Sequence, residues 1–105
     1  MFSLFKKKYD SISTEELSEK IGKINLIDVR ENYEFKAGHV PKAKNIPMGL
    51  ILSEPEKYLA KDKEYHIICH SGSRSSRTCR SLSSLGYQVV NIIGGTASYT
   101  KPLKR

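Results

Sequence analysis

The chain has only two cysteines and no long apolar run, and each shortage excludes a class of protein. Cys69 and Cys79 are too few for a disulfide framework. No stretch approaches the roughly 20 apolar residues of a membrane-spanning helix. The apolar start, residues 1–5, is followed by lysines, whereas a secretory signal peptide places its charges first. We therefore expect a cytoplasmic protein with reduced thiols and no membrane association.

Acidic residues are also scarce relative to basic ones, which leaves a net charge of +7 on 105 residues. Such an excess can attract nucleic acid, anionic membrane surfaces or small anions. The densest basic run, residues 6–8, is close to one terminus, and a smaller cluster at 101–105 is close to the other. We interpret residues 1–9 and 101–105 as solvated basic tails and expect no nucleic-acid binding. The length allows one domain between them, over residues 10–100.

Segments typical of strands and of helices alternate along this domain. Ser13 and Glu16 form the pattern of a capping box, which predicts a helix start. The other predicted boundaries follow from apolar runs, prolines and glycines. The predicted helices span about residues 14–21, 31–37, 55–59 and 74–85, with a short one after Gly94-Gly95, and the predicted strands span 24–29, 43–46, 65–69 and 88–93. This alternation is typical of an α/β domain with a mainly parallel sheet.

Cys69 ends the clearest strand and is followed by a glycine-containing loop and then a helix. Ligands of parallel sheets bind outside the carboxyl ends of the strands. Backbone amides of residues 70–74 and the positive end of the following helix would both stabilise an anion at the sulfur. Cys69 is therefore a candidate nucleophile that needs no dedicated base. The alternative is that Cys69 serves only as a small buried apolar residue.

The residues of the loop have distinct expected roles. Gly72 permits a positive φ that a side chain would hinder. Ser71 and Ser73 are small enough to leave the entrance open. Arg74 offers a planar fork that can hold an anionic oxyacid group. His70 is expected to point to solvent, where it can meet a substrate.

Residues 69–75, CHSGSRS, resemble the active-site loop of rhodanese domains: cysteine, two residues, glycine, one residue, arginine, serine. Residues 26–31, LIDVRE, and 38–47, GHVPKAKNIP, resemble two further stretches of that family, and Gly94-Gly95 matches its late glycine pair. The resemblance covers about residues 10–100. It implies a rhodanese-like three-layer fold, with a five-stranded, mostly parallel sheet and helices on both faces.

The resemblance also implies a sulfurtransferase that works through a persulfide. Cys69 would take sulfur from thiosulfate or a similar small donor, and residues 70–74, His-Ser-Gly-Ser-Arg, would bind the substrate. The acceptor would be cyanide or a thiol: glutathione, a thioredoxin-like protein or another acceptor protein. No cofactor is expected, and the protein would be a monomer or weak dimer.

Several other residues receive structural roles. The resemblance implies that Asp28 and Arg30 join nearby loops close to the site. His39 lies beside Pro41 in a loop, where we expect it to make a structural hydrogen bond. No metal site is expected, because Cys69, His70 and Cys79 lack the paired spacing of zinc ligands. Cys79 is expected in the core, with a resolving-thiol role as the alternative.

The chain departs from the family at two positions and leaves two other functions open. Tyr99 stands where the family commonly has tryptophan nearby, and Lys42 stands where it often has glycine. One open function is a sulfur carrier that a partner protein loads. The other is a cysteine phosphatase or arsenate reductase. Phosphatases of that kind place five residues between cysteine and arginine, whereas four separate Cys69 from Arg74.

Overall fold

The computed structural model describes residues 9–105, in which five parallel strands form one sheet. The spatial order of the strands is β1-β5-β4-β2-β3, and every neighbouring pair is parallel. The strands are β1 (Asp10–Ile12), β2 (Asn25–Asp28), β3 (Lys44–Asn45), β4 (Glu64–Ile68) and β5 (Gln88–Ile92). The predicted α/β architecture with a parallel sheet is therefore confirmed. β1 was not predicted, and it extends the sheet by pairing with β5.

Six helices connect and flank the strands. They are α1 (Thr14–Ser18), α2 (Asn32–Ala37), α3 (Met48–Ser53), α4 (Pro55–Tyr58), α5 (Ser73–Ser84) and α6 (Gly95–Ser98). The capping box is present, because Ser13 Oγ accepts from the Glu16 amide at 3.1 Å. α1 is nevertheless shorter than the predicted 14–21. α3 was not predicted, since in this part of the chain the first predicted helix begins at Pro55.

Residues that alternate along the central strands divide the core into two halves, one on each face of the sheet. Ile27 and Ile67 pack in one half with Leu82 of α5. Leu26 and Ile68 pack in the other half with Leu17 of α1. Each fully buried aliphatic side chain of this kind contributes about 1.5–3 kcal/mol through removal from water. Helices therefore cover both faces, as the predicted three-layer arrangement requires.

The segment 101–105, predicted as a basic tail, is attached to the domain. His39 and Lys104 exchange backbone hydrogen bonds of 2.9 and 2.8 Å in an antiparallel bridge. The Leu103 side chain lies against Gly38, where it approaches the position a Cβ atom would take. The predicted N-terminal tail, residues 1–9, lies outside the described residues except for Tyr9, whose hydroxyl shares a 2.8 Å hydrogen bond with Ser76 Oγ.

Two further features of the backbone are relevant to the sequence analysis. Lys42 has a φ of 71°, so the position where the family often has glycine does adopt the left-handed region here. A lysine pays roughly 1 kcal/mol for that conformation. Among the helices of residues 9–105, none has the length and apolar character needed to cross a membrane.

Candidate active site

The site is built where β4 ends and α5 begins. β4 delivers Cys69 to the carboxyl edge of the sheet, and α5 starts at Ser73, one residue earlier than predicted. Gly72 precedes the helix with φ 110° and ψ −15°, the left-handed conformation that the sequence analysis anticipated there. A side chain at this position would be strained. The glycine therefore allows the chain to turn from the strand into the helix within the four residues 69–72.

The sulfur of Cys69 is enclosed by its own loop and by the first turn of α5. Cys69 is buried, with 1% of its surface exposed. The Gly72 amide donates to Sγ at 3.1 Å. The thiol donates to Ser75 Oγ at 3.4 Å, and the Ser75 hydroxyl donates to the Gly72 carbonyl at 3.2 Å. The amide already points at the sulfur, and rotation of the Ser75 hydroxyl would give a thiolate a second donor.

Ser75 was not among the predicted site residues. It is fully buried and shares the inner face of α5 with Cys79 and Leu82, as the helical spacing predicted. The sequence did carry a signal, because Ser75 is the last position of the CHSGSRS loop motif. Its hydroxyl faces the sulfur because the helix begins at Ser73, which turns the third helical residue inward.

The rest of the predicted binding loop forms the entrance to the sulfur. His70, Ser71 and Ser73 are exposed, and Arg74 is partly buried. The two terminal nitrogens of Arg74 bind the carboxylate of Glu34 on α2, with distances of 2.8 and 2.9 Å. Glu34 was not predicted as a site residue. We predicted that the guanidinium of Arg74 would orient an anionic donor. In the structure it instead binds a carboxylate of the chain itself.

The Arg74–Glu34 pair is partly shielded from water, with 29% and 21% of the two side chains exposed. The hydrogen bonds from Arg74 lower the pKa of Glu34 to about 2, aided by a hydrogen bond from the Glu31 backbone. The same pairing raises the pKa of Arg74 above its already high value. Both groups are therefore charged at any pH at which the protein would act.

The backbone carbonyls around Cys69 are held by α6. The Thr96 amide donates to the Cys69 carbonyl and the Ala97 amide to the His70 carbonyl, both at 2.9 Å. Thr96 Oγ1 also donates to the Cys69 carbonyl at 3.2 Å. Gly95 has a φ of 60°, and a Cβ atom there would overlap the carbonyls of Cys69 and His70. The sequence analysis noted the glycine pair but did not anticipate this contact with the loop after Cys69.

Asp28 and Arg30 lie at the end of the neighbouring strand β2 and form a buried ion pair. Arg30 Nε lies 3.0 and 3.1 Å from the two carboxylate oxygens of Asp28, and Nη2 lies 2.9 Å from Oδ2. Nη2 also donates to the Gly38 carbonyl at 2.8 Å. The pair thus links the end of β2 to the loop that begins at Gly38. His39 in that loop bonds through Nδ1 to the Phe35 carbonyl at 2.8 Å and stacks on the Phe35 ring.

Two further titratable side chains, Cys79 and His66, are buried in the domain. Cys79 is fully buried on the inner face of α5, in the same core cluster as Cys69, and this burial raises its pKa to about 12. His66 on β4 is also buried, and desolvation lowers its pKa. Both cysteines are free thiols. Tyr99 is partly buried against the core half that contains Leu17. Across residues 9–105, no three histidine, cysteine or acidic side chains converge as metal ligands.

Comparison with known proteins gives consistent matches along the chain. A family model described as "Rhodanese-like domain" matches residues 13–102. YtwF of Bacillus subtilis, named as a candidate sulfurtransferase, is 46% identical over 99 residues, which cover 87% of this chain and 93% of YtwF. A protein of Allochromatium vinosum named sulfurtransferase is 32% identical over 96 residues, covering 88% and 89% of the two chains. The crystal structure of a rhodanese-related protein from Thermoplasma volcanium is similar with a TM-score of 0.82 at 36% identity, covering 91% and 98%.

Proposed function

The chain belongs to the rhodanese-like domain family, and on that premise we propose that it transfers sulfane sulfur through a persulfide on Cys69. The family resemblance and the rhodanese-like fold inferred from the motifs are confirmed by the family match and by the similar crystal structure. Relatives named as sulfurtransferases support sulfur transfer as the reaction class. The donor and the acceptor are part of the proposal.

The environment of the sulfur is the observation that carries this proposal. The Gly72 amide donates to Sγ, and Ser75 lies within hydrogen-bond distance of it. In the first half-reaction the Cys69 thiolate attacks the outer sulfur of thiosulfate. A new S–S bond forms at Sγ, the S–S bond of the donor breaks, and sulfite leaves with its electron pair. Hydrogen-bond donors at the loop would stabilise the persulfide anion that results.

In the second half-reaction an acceptor removes the outer sulfur and restores the thiolate. Cyanide would leave as thiocyanate, and a thiol such as glutathione or that of a thioredoxin-like protein would leave as a persulfide. His70, Ser71 and Ser73 are exposed at the entrance, where they would meet either substrate. We further propose that the protein acts in the cytoplasm as a monomer or weak dimer, without cofactor, nucleic acid or membrane.

Phosphate chemistry is the competing reaction, and the site disfavours it. Only four residues separate Cys69 from Arg74, so the ring of amides is one residue shorter than the phosphatase loop. The two terminal nitrogens of Arg74 also already hold the Glu34 carboxylate, so they are not free to bind a phosphate as the arginine of a phosphatase loop does. A single sulfur atom needs less space and less charge compensation than a tetrahedral phosphate.

Intact-mass spectrometry tests the proposal directly. Wild-type protein mixed with thiosulfate should gain about 32 Da, the mass of one sulfur atom, and lose it on addition of cyanide or glutathione. Cys69→Ser should gain nothing. Cys79→Ser is the matched control and should load like wild type, because Cys79 is buried in the core.

Two other results would point elsewhere. Loading of Cys69→Ser to the same extent as wild type would remove Cys69 from the mechanism. Wild type that loads only when a partner protein supplies the sulfur would indicate the carrier function.

A further inference from the structure

The positive charge of Arg74, beside the Cys69 loop, is neutralised by an ion pair with Glu34. Arg74 is the second residue of α5, and hydrogen bonds to Glu34 are the main stabilisation of its guanidinium. Its two terminal nitrogens are both committed to Glu34, at 2.8 and 2.9 Å. The end of the fork that binds oxyanions bidentately is therefore occupied.

Glu34 is held on its other side as well. The Glu31 amide donates to Glu34 Oε1 at 3.0 Å, which completes the capping box at the start of α2. The carboxylate thus has three donors from two elements and is only 21% exposed. Arg30 interacts electrostatically with Glu34 but is itself bound to Asp28. Both arginines at this edge of the sheet are consequently paired with carboxylates.

We propose that Glu34 is a specificity-determining residue that makes the donor site favour sulfane donors of lower negative charge over the thiosulfate dianion. The preferred class would be thiol persulfides, R–S–SH, and thiosulfonates, R–SO2–S⁻. This inference rests on the proposed function and refines its donor. A neutral Arg74–Glu34 pair offers a dianion little net attraction, and the carboxylate repels the second charge.

The chemistry of loading is the same for each donor. With a thiosulfonate, Cys69 Sγ forms a bond to the outer sulfur, the donor S–S bond breaks, and a sulfinate leaves with the electron pair. With a thiol persulfide, the leaving group is the thiolate R–S⁻. Neither reaction requires an oxidant or reductant, since the sulfane sulfur moves between two sulfur atoms. The donors differ in the charge they bring to the entrance.

Methanethiosulfonate and thiosulfate form a matched pair of probes, because both carry a sulfane sulfur on an oxidised sulfur and differ by one charge. The experiment measures the second-order rate constant for loading of Cys69 by each, using intact mass. In Glu34→Gln the thiosulfate constant should rise at least about fivefold, while the methanethiosulfonate constant changes by less than about twofold. Glu31→Gln removes a nearby exposed charge without freeing Arg74, and it should leave the ratio of the two constants within about twofold of wild type.

Arg74→Gln provides a second variant with the opposite expectation. It leaves Glu34 unpaired, so thiosulfate loading should fall more than methanethiosulfonate loading. The double variant Glu34→Gln/Arg74→Gln should return the ratio towards wild type, because its entrance is again neutral. Circular dichroism establishes that each variant is folded.

The outcomes separate the two levels of the proposal. The role of Glu34 would be overturned if Glu34→Gln changed the loading rate constants of both donors equally. It would also be overturned if Glu31→Gln changed the ratio of the two constants as much as Glu34→Gln does, or if Glu34→Gln and Arg74→Gln moved that ratio in the same direction. Absence of loading by either donor in wild type would instead overturn the loading of Cys69 by small donors, and the donor selectivity with it.

Discussion

At the scale of single residues, the sulfur of Cys69 is surrounded by hydrogen-bonding neighbours in its loop. The Gly72 amide and the Ser75 hydroxyl are the polar groups that the structure places at Sγ. A hydrogen bond to a charged group contributes about 1.5–3 kcal/mol, whereas one between neutral groups contributes less. The donors at Sγ should therefore matter most when the sulfur is a thiolate or a persulfide anion.

Ser75→Ala tests the contribution of the hydroxyl. It removes the group that can donate to the thiolate, so loading of Cys69 by thiosulfate should slow by about tenfold or more. The rate is measured by intact mass at several pH values. Ser81→Ala, on the exposed side of the same helix, is the control and should load at the wild-type rate. An unchanged rate in Ser75→Ala would mean that the backbone alone stabilises the sulfur.

The Arg74–Glu34 pair should appear in the acid stability of the protein. The pKa of Glu34 is lowered to about 2 from an ordinary value of 4.5. Its contribution is therefore fully present above about pH 4.5 and is lost as pH falls towards 2. Allowing for its partial exposure, we expect about 1–2 kcal/mol. Urea unfolding between pH 6 and pH 2 should show that the free energy of unfolding falls more steeply for wild type than for Glu34→Gln. If the free energies of the two proteins fell in parallel with pH, the stabilising role of the pair would be contradicted.

The sequence predicts site residues that are close together along the chain, but it misses those that are far apart in the sequence and come into contact only in the fold. Cys69 and Gly72 are found because a strand, a loop and a helix follow in order. Glu34 is 40 residues from Arg74, and nothing in the sequence distinguishes it from other acidic residues. Ser75 was predicted on the correct helix face, but its contact with sulfur depends on which residue begins α5.

At the scale of elements, the loop after Cys69 is held by α6 as well as by β4 and α5. The Thr96 and Ala97 amides fix the carbonyls of Cys69 and His70, and Gly95 permits the close approach. These contacts fix the start of the loop whose Gly72 amide donates to the sulfur. The glycine pair is thus part of the support of the site rather than a simple end to β5.

Gly95→Ala tests this support. The new Cβ would overlap two carbonyls at a position with positive φ, so we expect a loss of stability above about 2 kcal/mol and slower loading of Cys69. Gly49→Ala in α3 is the matched control, because a Cβ there meets no atom within 4 Å. It should be neutral or slightly stabilising. Thermal unfolding and intact-mass loading are the measurements, and equal behaviour of the two variants would contradict the role of α6.

The elements that sequence analysis missed are short and weakly patterned. β1 has three residues, including polar Asp10 and Ser11, and it is a strand because the edge of β5 is available to it. α3 follows Pro47 and contains Gly49, which lowers helix propensity. Longer elements such as β4 and α5 carry enough apolar periodicity to be predicted. Tertiary contacts decide the short ones.

At the scale of the whole molecule, we expect the net charge of +7 to attract an anionic donor such as the proposed thiosulfate. Salt screens this attraction, since the Debye length shrinks from about 30 Å at 0.01 M to about 10 Å at 0.1 M. Thiosulfate loading of Cys69 should therefore slow as ionic strength rises over this range. Alkylation of Cys69 by neutral iodoacetamide is the control and should change little. Equal salt dependence of both reactions would show that the net charge plays no part.

The central claim is that one sulfur atom passes through Cys69, and a labelled-sulfur experiment tests it most directly. Protein is loaded with thiosulfate that carries a heavy isotope only in its outer sulfur, freed of excess donor and treated with cyanide. The Cys69 peptide should carry the label after loading and lose it afterwards, while labelled thiocyanate appears in equal amount. Labelled thiocyanate from a Cys69→Ser protein, or a label on wild-type Cys69 that cyanide does not remove, would contradict the account.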